Sequence, residues 1–168
     1  MAKKPDTPGR KLIADNRRAR FEYKLGDPIE AGLILTGTEV KALREGKANI
    51  AESYCSPENG PNGPEIWLIN ANIPEYSGGN RLNHKPKRPR KLLLYRRQVN
   101  QLTGSVERQG RTIIPLRMVF NEEGRVKLDI ALAEGKKNVD KRETVKEREW
   151  GRQKQRLMKD LNTFVHSK

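Results

Sequence analysis

Apolar residues along this chain alternate with period two in several short stretches and return at helical spacing in a few others. Phe21-Glu22-Tyr23-Lys24-Leu25 alternates and predicts a strand closing at Gly26-Asp27-Pro28. Residues 29–35 predict a second strand, with Ala31, Leu33 and Leu35 on one face and Glu30, Gly32 and Ile34 on the other. Thr36 and Glu39 have the spacing of a capping box, Val40 and Leu43 share a face, and Gly46 suits a left-handed stop, so a short helix follows. Strand-like stretches at 49–55 and 65–76 flank a turn-rich hairpin loop at 57–64. Lys91-Leu92-Leu93-Leu94 is short enough for a strand, and Val99, Leu102 and Val106 predict a helix ending at Gly110. The clearest signal comes next. Ile114, Leu116, Met118 and Phe120 alternate, as do Val126, Leu128, Ile130 and Leu132, around the tight turn Asn121-Glu122-Glu123-Gly124. This predicts an antiparallel hairpin with one apolar face and with Lys127 and Asp129 on the other.

Six or seven short strands with two small helices predict a mainly β fold, a small closed or nearly closed antiparallel barrel. An open sandwich is the competing architecture. Residues 1–11, with two prolines and a glycine, read as a flexible arm before a body at 12–133. From 134 to 168 the apolar groups thin out. A helix through 140–161 aligns Trp150, Leu157 and Leu161 in a narrow stripe that Gly151 interrupts. Such a stripe does not offset the ordering cost of the backbone, so the tail is expected to be disordered alone and helical against a partner. A helix docked on the barrel from the start is the alternative.

Charge changes this picture. The 168 residues hold 35 basic and 21 acidic side chains, a net charge of +14, with 34% hydrophobic and 33% charged residues. The excess is concentrated: residues 1–24 carry +5, residues 81–97 carry +8 with no acid, and residues 134–168 carry +5. The remaining 92 residues are slightly acidic, at −4. A polyanionic partner is expected, and the 81–97 stretch is the first candidate for phosphate contact.

Enzyme chemistry finds little support. Cys55 is the one cysteine, which excludes an internal disulfide or a cysteine-rich zinc site, and His84 and His166 are the only histidines. No nucleophile–base pair and no phosphate-binding glycine loop is present, so the expectation is no catalytic residue, no metal and no cofactor. No apolar run approaches the length of a membrane span or a signal-peptide core, so a cytoplasmic, membrane-free monomer is expected. The nine aromatics are scattered rather than clustered, which favours phosphate and shape contacts on a folded RNA over base stacking along a single strand.

Several blocks occur in a telling order: Asn16-Arg17-Arg18-Ala19-Arg20-Phe21-Glu22-Tyr23, Glu30-Ala31-Gly32-Leu33, Gly37-Thr38-Glu39-Val40-Lys41, Arg44-Glu45-Gly46-Lys47-Ala48-Asn49, Arg90-Lys91-Leu92-Leu93-Leu94, and Gly135-Lys136-Lys137 with Asp140-Lys141-Arg142. From about residue 12 to 159 the chain thereby resembles the bacterial small protein B family, the SsrA-binding proteins that partner transfer-messenger RNA (tmRNA) in trans-translation. The resemblance implies an OB-type barrel with short flanking helices. It implies binding to the tRNA-like domain of tmRNA and a second partner, the ribosome, whose empty messenger channel the tail enters near the decoding centre. By position, the family's RNA contacts fall on Asn16, Glu30, Leu93 and Lys127, and the basic neighbours Arg17, Arg18, Arg20, Arg90 and Lys91 are grouped with them. Gly135, Lys136, Lys137, Asp140, Lys141, Arg142, Trp150 and Met158 match positions linked to ribosome engagement. Val139 stands where many relatives have histidine, so no imidazole contact is carried over. A structural ribosomal protein with basic extensions is the runner-up reading, and a basic nuclease a third.

Overall fold

The computed structural model describes residues 9–165, and the side chains of all of these except 138, 139 and 160–165. It holds eight strands and four helices: β1 (Lys11–Asp15), α1 (Ala19–Glu22), β2 (Tyr23–Leu25), β3 (Ile29–Leu33), α2 (Gly37–Arg44), β4 (Tyr54–Gly60), β5 (Gly63–Ile69), β6 (Arg90–Leu93), α3 (Arg96–Gln109), β7 (Thr112–Phe120), β8 (Val126–Gly135) and α4 (Asn138–Val165). Two units separate, residues 1–134 and 135–168.

In the first unit the strands follow the order β1-β7-β4-β5-β6-β3-β8-β2, and β7 also pairs with β8. That extra pairing closes six strands into an antiparallel ring, with β1 added along β7 and β2 along β8. The ring and its helices are compatible with the expected OB-type barrel, and an open sandwich is not what forms. Closure leaves a core of alternating inward residues, among them Ile66, Leu68, Ile113, Met118, Leu128 and Ile130, all at most 1% exposed.

Local chemistry shapes the elements as expected at several points. The Glu39 carboxylate accepts a hydrogen bond from the Thr36 N–H at 2.8 Å, starting α2. Gly110 ends α3 in the left-handed region at φ +60, where a β-carbon would be strained. The turn after β7 is held by Gly124 N–H to the Asn121 carbonyl at 3.0 Å and by Arg125 N–H to Asn121 Oδ1 at 2.8 Å.

Four expectations are corrected. Phe21 and Glu22 lie in α1, not in a strand, because Asn16 Oδ1 accepts the Ala19 N–H at 3.2 Å and turns the chain there; only Tyr23–Leu25 remains extended. Residues 57–64 are not a long loop: β4 and β5 pair through Pro57↔Ile66 and Asn59↔Pro64 to Gly60↔Gly63, so the loop's residues are ladder. Residues 49–53 make one isolated bridge, Asn49↔Asn72, rather than a strand.

The fourth concerns β7. Its alternating apolar residues do not keep to one face, because the register shifts between Pro115 and Arg117. Leu116 is the extra residue of this bulge. Before it, Ile113 faces the main core; after it, Met118 and Phe120 do. Ile114 and Leu116 turn the other way, onto a second small cluster with Ala19, Ala131 and Ala133 beneath Tyr23 and Leu25. β8 runs to Gly135, two residues past the boundary drawn from sequence, and Lys11 of the expected arm already belongs to β1. The rest of that arm, through residue 8, lies outside the described residues.

The second unit contains one long helix, α4. Its described apolar side chains face solvent, Trp150 at 70% exposure. Thr144 Oγ1 donates to the Asp140 carbonyl at 2.8 Å, and Lys136 Nζ donates to Thr144 Oγ1 at 3.4 Å, fixing the first turns. Leu161 of the expected stripe has no described side chain.

Candidate nucleic-acid interface

Strands β6, β3 and β8 lie side by side, and their register brings three of the sequence candidates together. Gly32 pairs with Leu93 on one side and with Lys127 on the other. Glu30 faces Asp129 two pairs further along, on the same face. Leu93 is 54% exposed, an unusual position for a strand leucine, while its neighbour Leu92 is in the core. A β-carbon on Gly32 would come within 3.1 Å of the Leu93 β-carbon, so the absent side chain is what gives Leu93 its place.

This face is nearly balanced in charge. Arg10 Nη2 reaches Glu30 Oε2 at 2.8 Å, and Lys127 Nζ stands 4.0 Å from Glu30 Oε1. Burial and the nearby Glu30 push the Asp129 carboxyl up, against the pull of Arg117 and Arg10. Asp129 shares the face of Lys127, as the hairpin alternation predicts, but sequence reasoning missed Arg10 and Arg117 as members of this group. Cross-strand register was the only signal for them, and it is not visible in one sequence.

The +8 stretch is corrected most. Arg90, expected among the RNA contacts, is 0% exposed. Its Nε donates to Glu39 Oε1 at 2.8 Å, Nη1 to the Ala71 carbonyl at 2.8 Å and Nη2 to the Pro86 carbonyl at 3.0 Å. A side chain so buried and so committed braces the fold. Arg88 donates to the same carboxylate through Nε at 3.1 Å and Nη2 at 2.8 Å. Burial alone would raise the Glu39 carboxyl, but hydrogen bonds from Arg88 and the Thr36 N–H, with the Arg90 charge, hold it at about 2. Lys91 Nζ meets Glu65 at 2.6 Å, and Arg96 donates to the carbonyls of Pro64 and Asn62.

The exposed cations of this stretch are Arg81, Lys85, Lys87, Arg96 and Arg97, of which Arg96 is already engaged with backbone carbonyls. The loop is held against α2 by His84, whose ring lies 3.0 Å from Thr38 Oγ1 and 2.9 Å from the Ile73 carbonyl. That carbonyl can only accept, so Nε2 donates to it. Lys41 and Arg44 of α2 are exposed, and Lys41 Nζ lies 5.5 Å from the Tyr76 ring centre. Exposed positive charge is thus found on α2 and at Arg81, Lys85 and Lys87.

The N-terminal candidates divide in the same way. Asn16 is 3% exposed: its N–H donates to the Leu116 carbonyl at 2.8 Å, its Nδ2 to the Pro115 carbonyl at 3.0 Å, and its Oδ1 accepts from Ala19. These bonds tie Asn16 into the turn. It holds Arg17, Arg18 and Arg20 outward on the turn; all three are exposed. Arg18 pairs with Glu22 at 3.1 Å, and Arg17 stands 3.7 Å from Asp15.

In the second unit, Gly135 closes β8 and Lys136 and Lys137 lead into α4. Asp140, Lys141 and Arg142 lie in its first turns, with Trp150 and Met158 exposed further along. Asp140 is favourably placed at the helix start. Val139 is within α4, but its side chain is not among those described. As for other chemistry, Cys55 is buried, and burial pushes its thiol up, away from the reactive thiolate. Among the described residues no cluster of three or more His, Cys, Asp or Glu could hold a metal ion. No described helix is long and apolar enough to cross a membrane. His166 lies outside the described residues.

Comparison with known proteins places this arrangement. The profile of the family described as SmpB protein matches residues 13–160. The SsrA-binding protein of Rhodopseudomonas palustris (strain BisB18) is 61% identical over 159 residues, covering 95% of this chain and 98% of that one. The SsrA-binding protein of Bradyrhizobium diazoefficiens is 60% identical over 159 residues, with the same coverage of 95% and 98%. A solved structure described as "tmRNA-SmpB: a journey to the center of the bacterial ribosome" superposes with a TM-score of 0.60 at 44% identity, over 74% of this chain and 84% of that one.

Proposed function

The chain belongs to the SmpB protein family, and on that premise we propose that it binds tmRNA and carries it to stalled ribosomes for trans-translation. The observation that carries this reading is the extent of the match, which runs from β1 through α4 and so includes both the sheet face and the tail. In this reading the tRNA-like domain lies on the β6-β3-β8 face. Leu93 supplies apolar contact there, Lys127 a phosphate or 2′-hydroxyl contact, and Glu30 an acceptor for base or ribose donors while it holds Arg10. Arg17, Arg20 and the exposed cations around α2 add sequence-independent attraction to the backbone. Lys91 contributes through its aliphatic stem, since its ammonium is paired with Glu65.

The tail is the ribosomal half of the reading. Lys136, Lys137, Lys141 and Arg142 meet ribosomal RNA, and Trp150 and Met158 give α4 an apolar edge that is covered only when it docks in the messenger channel. The protein acts in the cytoplasm, as a binding protein and not as an enzyme. A chain ending after Gly135, which keeps β8 whole, tests the division of labour. It should hold tmRNA with near-native affinity in filter binding and fail to support tagging on stalled ribosomes. Loss of tmRNA binding itself would refute the separation of the two roles.

A further inference from the structure

A cavity of about 360 Å³ opens beside α1, away from the residues credited with tmRNA contact on β3, β6 and β8. Its floor is apolar at Ile114, and two tyrosines, Tyr23 and Tyr54, line it. Its polar lining is unusual for a surface that meets a polyanion. Arg18 stands between two carboxylates, 3.1 Å from Glu22 and 3.9 Å from Glu52. Those three groups sum to a negative charge, so a phosphate approaching them meets net repulsion. A nucleobase does not, and an apolar floor with aromatic walls suits a flat ring.

The chemistry narrows the base. A carboxylate only accepts, and its two oxygens suit two adjacent donors. Guanine offers N1–H and the N2 amino group side by side, and its O6 accepts. Adenine and cytosine set one amino group beside a bare ring nitrogen, and uracil sets one N–H between two carbonyls, so each would place a lone pair against a carboxylate. Glu52 is the free reader: its side chain is 75% exposed and its contact with Arg18 is long. Glu22 is held by Arg18 through a 3.1 Å hydrogen bond. Tyr54, 43% exposed on the adjoining strand, offers a ring to stack on.

We propose that this cavity takes an unstacked guanine of the bound RNA, with Glu52 accepting from N1–H and N2–H, Arg18 donating to O6, and Tyr54 stacking on the ring. The proposal rests on the RNA-binding reading above and deepens it. It also gives buried Asn16 a purpose at the interface. Asn16 is part of the cavity lining, and its bonds to the Pro115 carbonyl and the Ala19 N–H set the wall from which Arg18 projects.

The test uses the full chain, isotope-labelled and titrated with GMP, IMP, AMP, CMP and UMP while amide shifts are followed. GMP should move the signals of Glu52 and Tyr54 and bind about 5- to 10-fold more tightly than IMP, which lacks only the 2-amino group. E52Q, at an exposed position that the fold does not depend on, should abolish the GMP–IMP difference. Equal shifts from all five nucleotides, or none at Glu52 and Tyr54, would overturn the proposal. Its failure is separable from that of the broader reading. If Lys127→Ala weakens tmRNA binding while E52Q and Y54A do not, the cavity is not a base site and the sheet face stands. If the unaltered chain fails to bind tmRNA, the broader reading fails first.

Discussion

Residues 81–97 and helix α4 are both rich in arginine and lysine, yet they stand in different surroundings. In the first, Arg88, Arg90, Lys91 and Arg96 all bind protein groups, and the acids they meet, Glu39 and Glu65, are far away in sequence. In the second, Arg142, Trp150, Leu157 and Met158 face solvent. The stretch with the higher charge density, +8 over 17 residues, is thus the one that spends much of it internally. Basic runs mark a partner surface only after the acids that the fold brings to them have been subtracted. That subtraction requires tertiary contacts.

The strongest way to break this contrast is to remove one charge from each region. Arg90→Met strands the Glu39 carboxylate, with Arg88 as its remaining guanidinium partner, and should lower unfolding free energy by about 3–5 kcal/mol. Arg142→Met should leave it within about 0.5 kcal/mol. Urea unfolding measures both, and equal losses would mean that Arg90 is no more structural than a tail cation.

Acid should separate the regions next. The Glu39 carboxyl sits at about 2 in the fold against 4.5 for the unperturbed group. Between those values the unfolded chain binds more protons than the folded one, so stability falls as pH falls. The contribution is whole above about pH 4.5 and is lost as pH drops through about 2, on the order of 3 kcal/mol. Unfolding free energy followed from pH 6 to pH 2 should show that loss in the native chain. The step should be missing from Glu39→Gln and unaffected by removal of α4. A pH profile that Glu39→Gln does not alter would take the carboxylate out of the account.

Binding gives a smaller effect. Lys127→Ala should weaken tmRNA binding by about 1–2 kcal/mol and reduce the slope of log affinity against log salt by about one. Arg90→Met, assayed where it remains folded, should leave the slope unchanged, because a buried guanidinium releases no counterion. A reduced slope there would return Arg90 to the interface.

These contrasts also show what one sequence can reveal. Local signals were legible: the Thr36–Glu39 start of α2, the Gly110 stop of α3, and the β7–β8 hairpin with its turn at residues 121–124. Each is decided by residues within a few positions of one another. Misread features were those settled at a distance. The bulge at Leu116 keeps the apolar alternation of β7 while reversing which core its members face, and only pairing with β8 reveals it. Pro57 and Pro64 looked like loop residues, yet the β4–β5 hairpin carries both in its ladder. At the candidate site, Glu30, Leu93 and Lys127 came from family resemblance, and only the register across β6, β3 and β8 places them on one face. Glu39 was legible as a cap but not as the acid that pairs with both Arg88 and Arg90.

The finest test acts on the tail alone. Gly151 lies inside α4, and a β-carbon added there would meet nothing within 4 Å, so Gly151→Ala fits without displacing a neighbour. Alanine favours the helix by about 1 kcal/mol over glycine, chiefly by restricting the unfolded backbone. If the tail pays its ordering cost on docking, the substitution reduces that cost. Tagging at limiting protein concentration should then improve by up to about fivefold, and the far-UV helix signal of the free chain should rise. The body should not notice: its urea midpoint stays fixed, because Gly151 belongs to the unit at 135–168 and the Glu39 cluster to the other. A helix signal that Gly151→Ala leaves unchanged would mean that α4 is fully formed before it meets the ribosome. A body midpoint that moves with it would mean that the two units unfold as one.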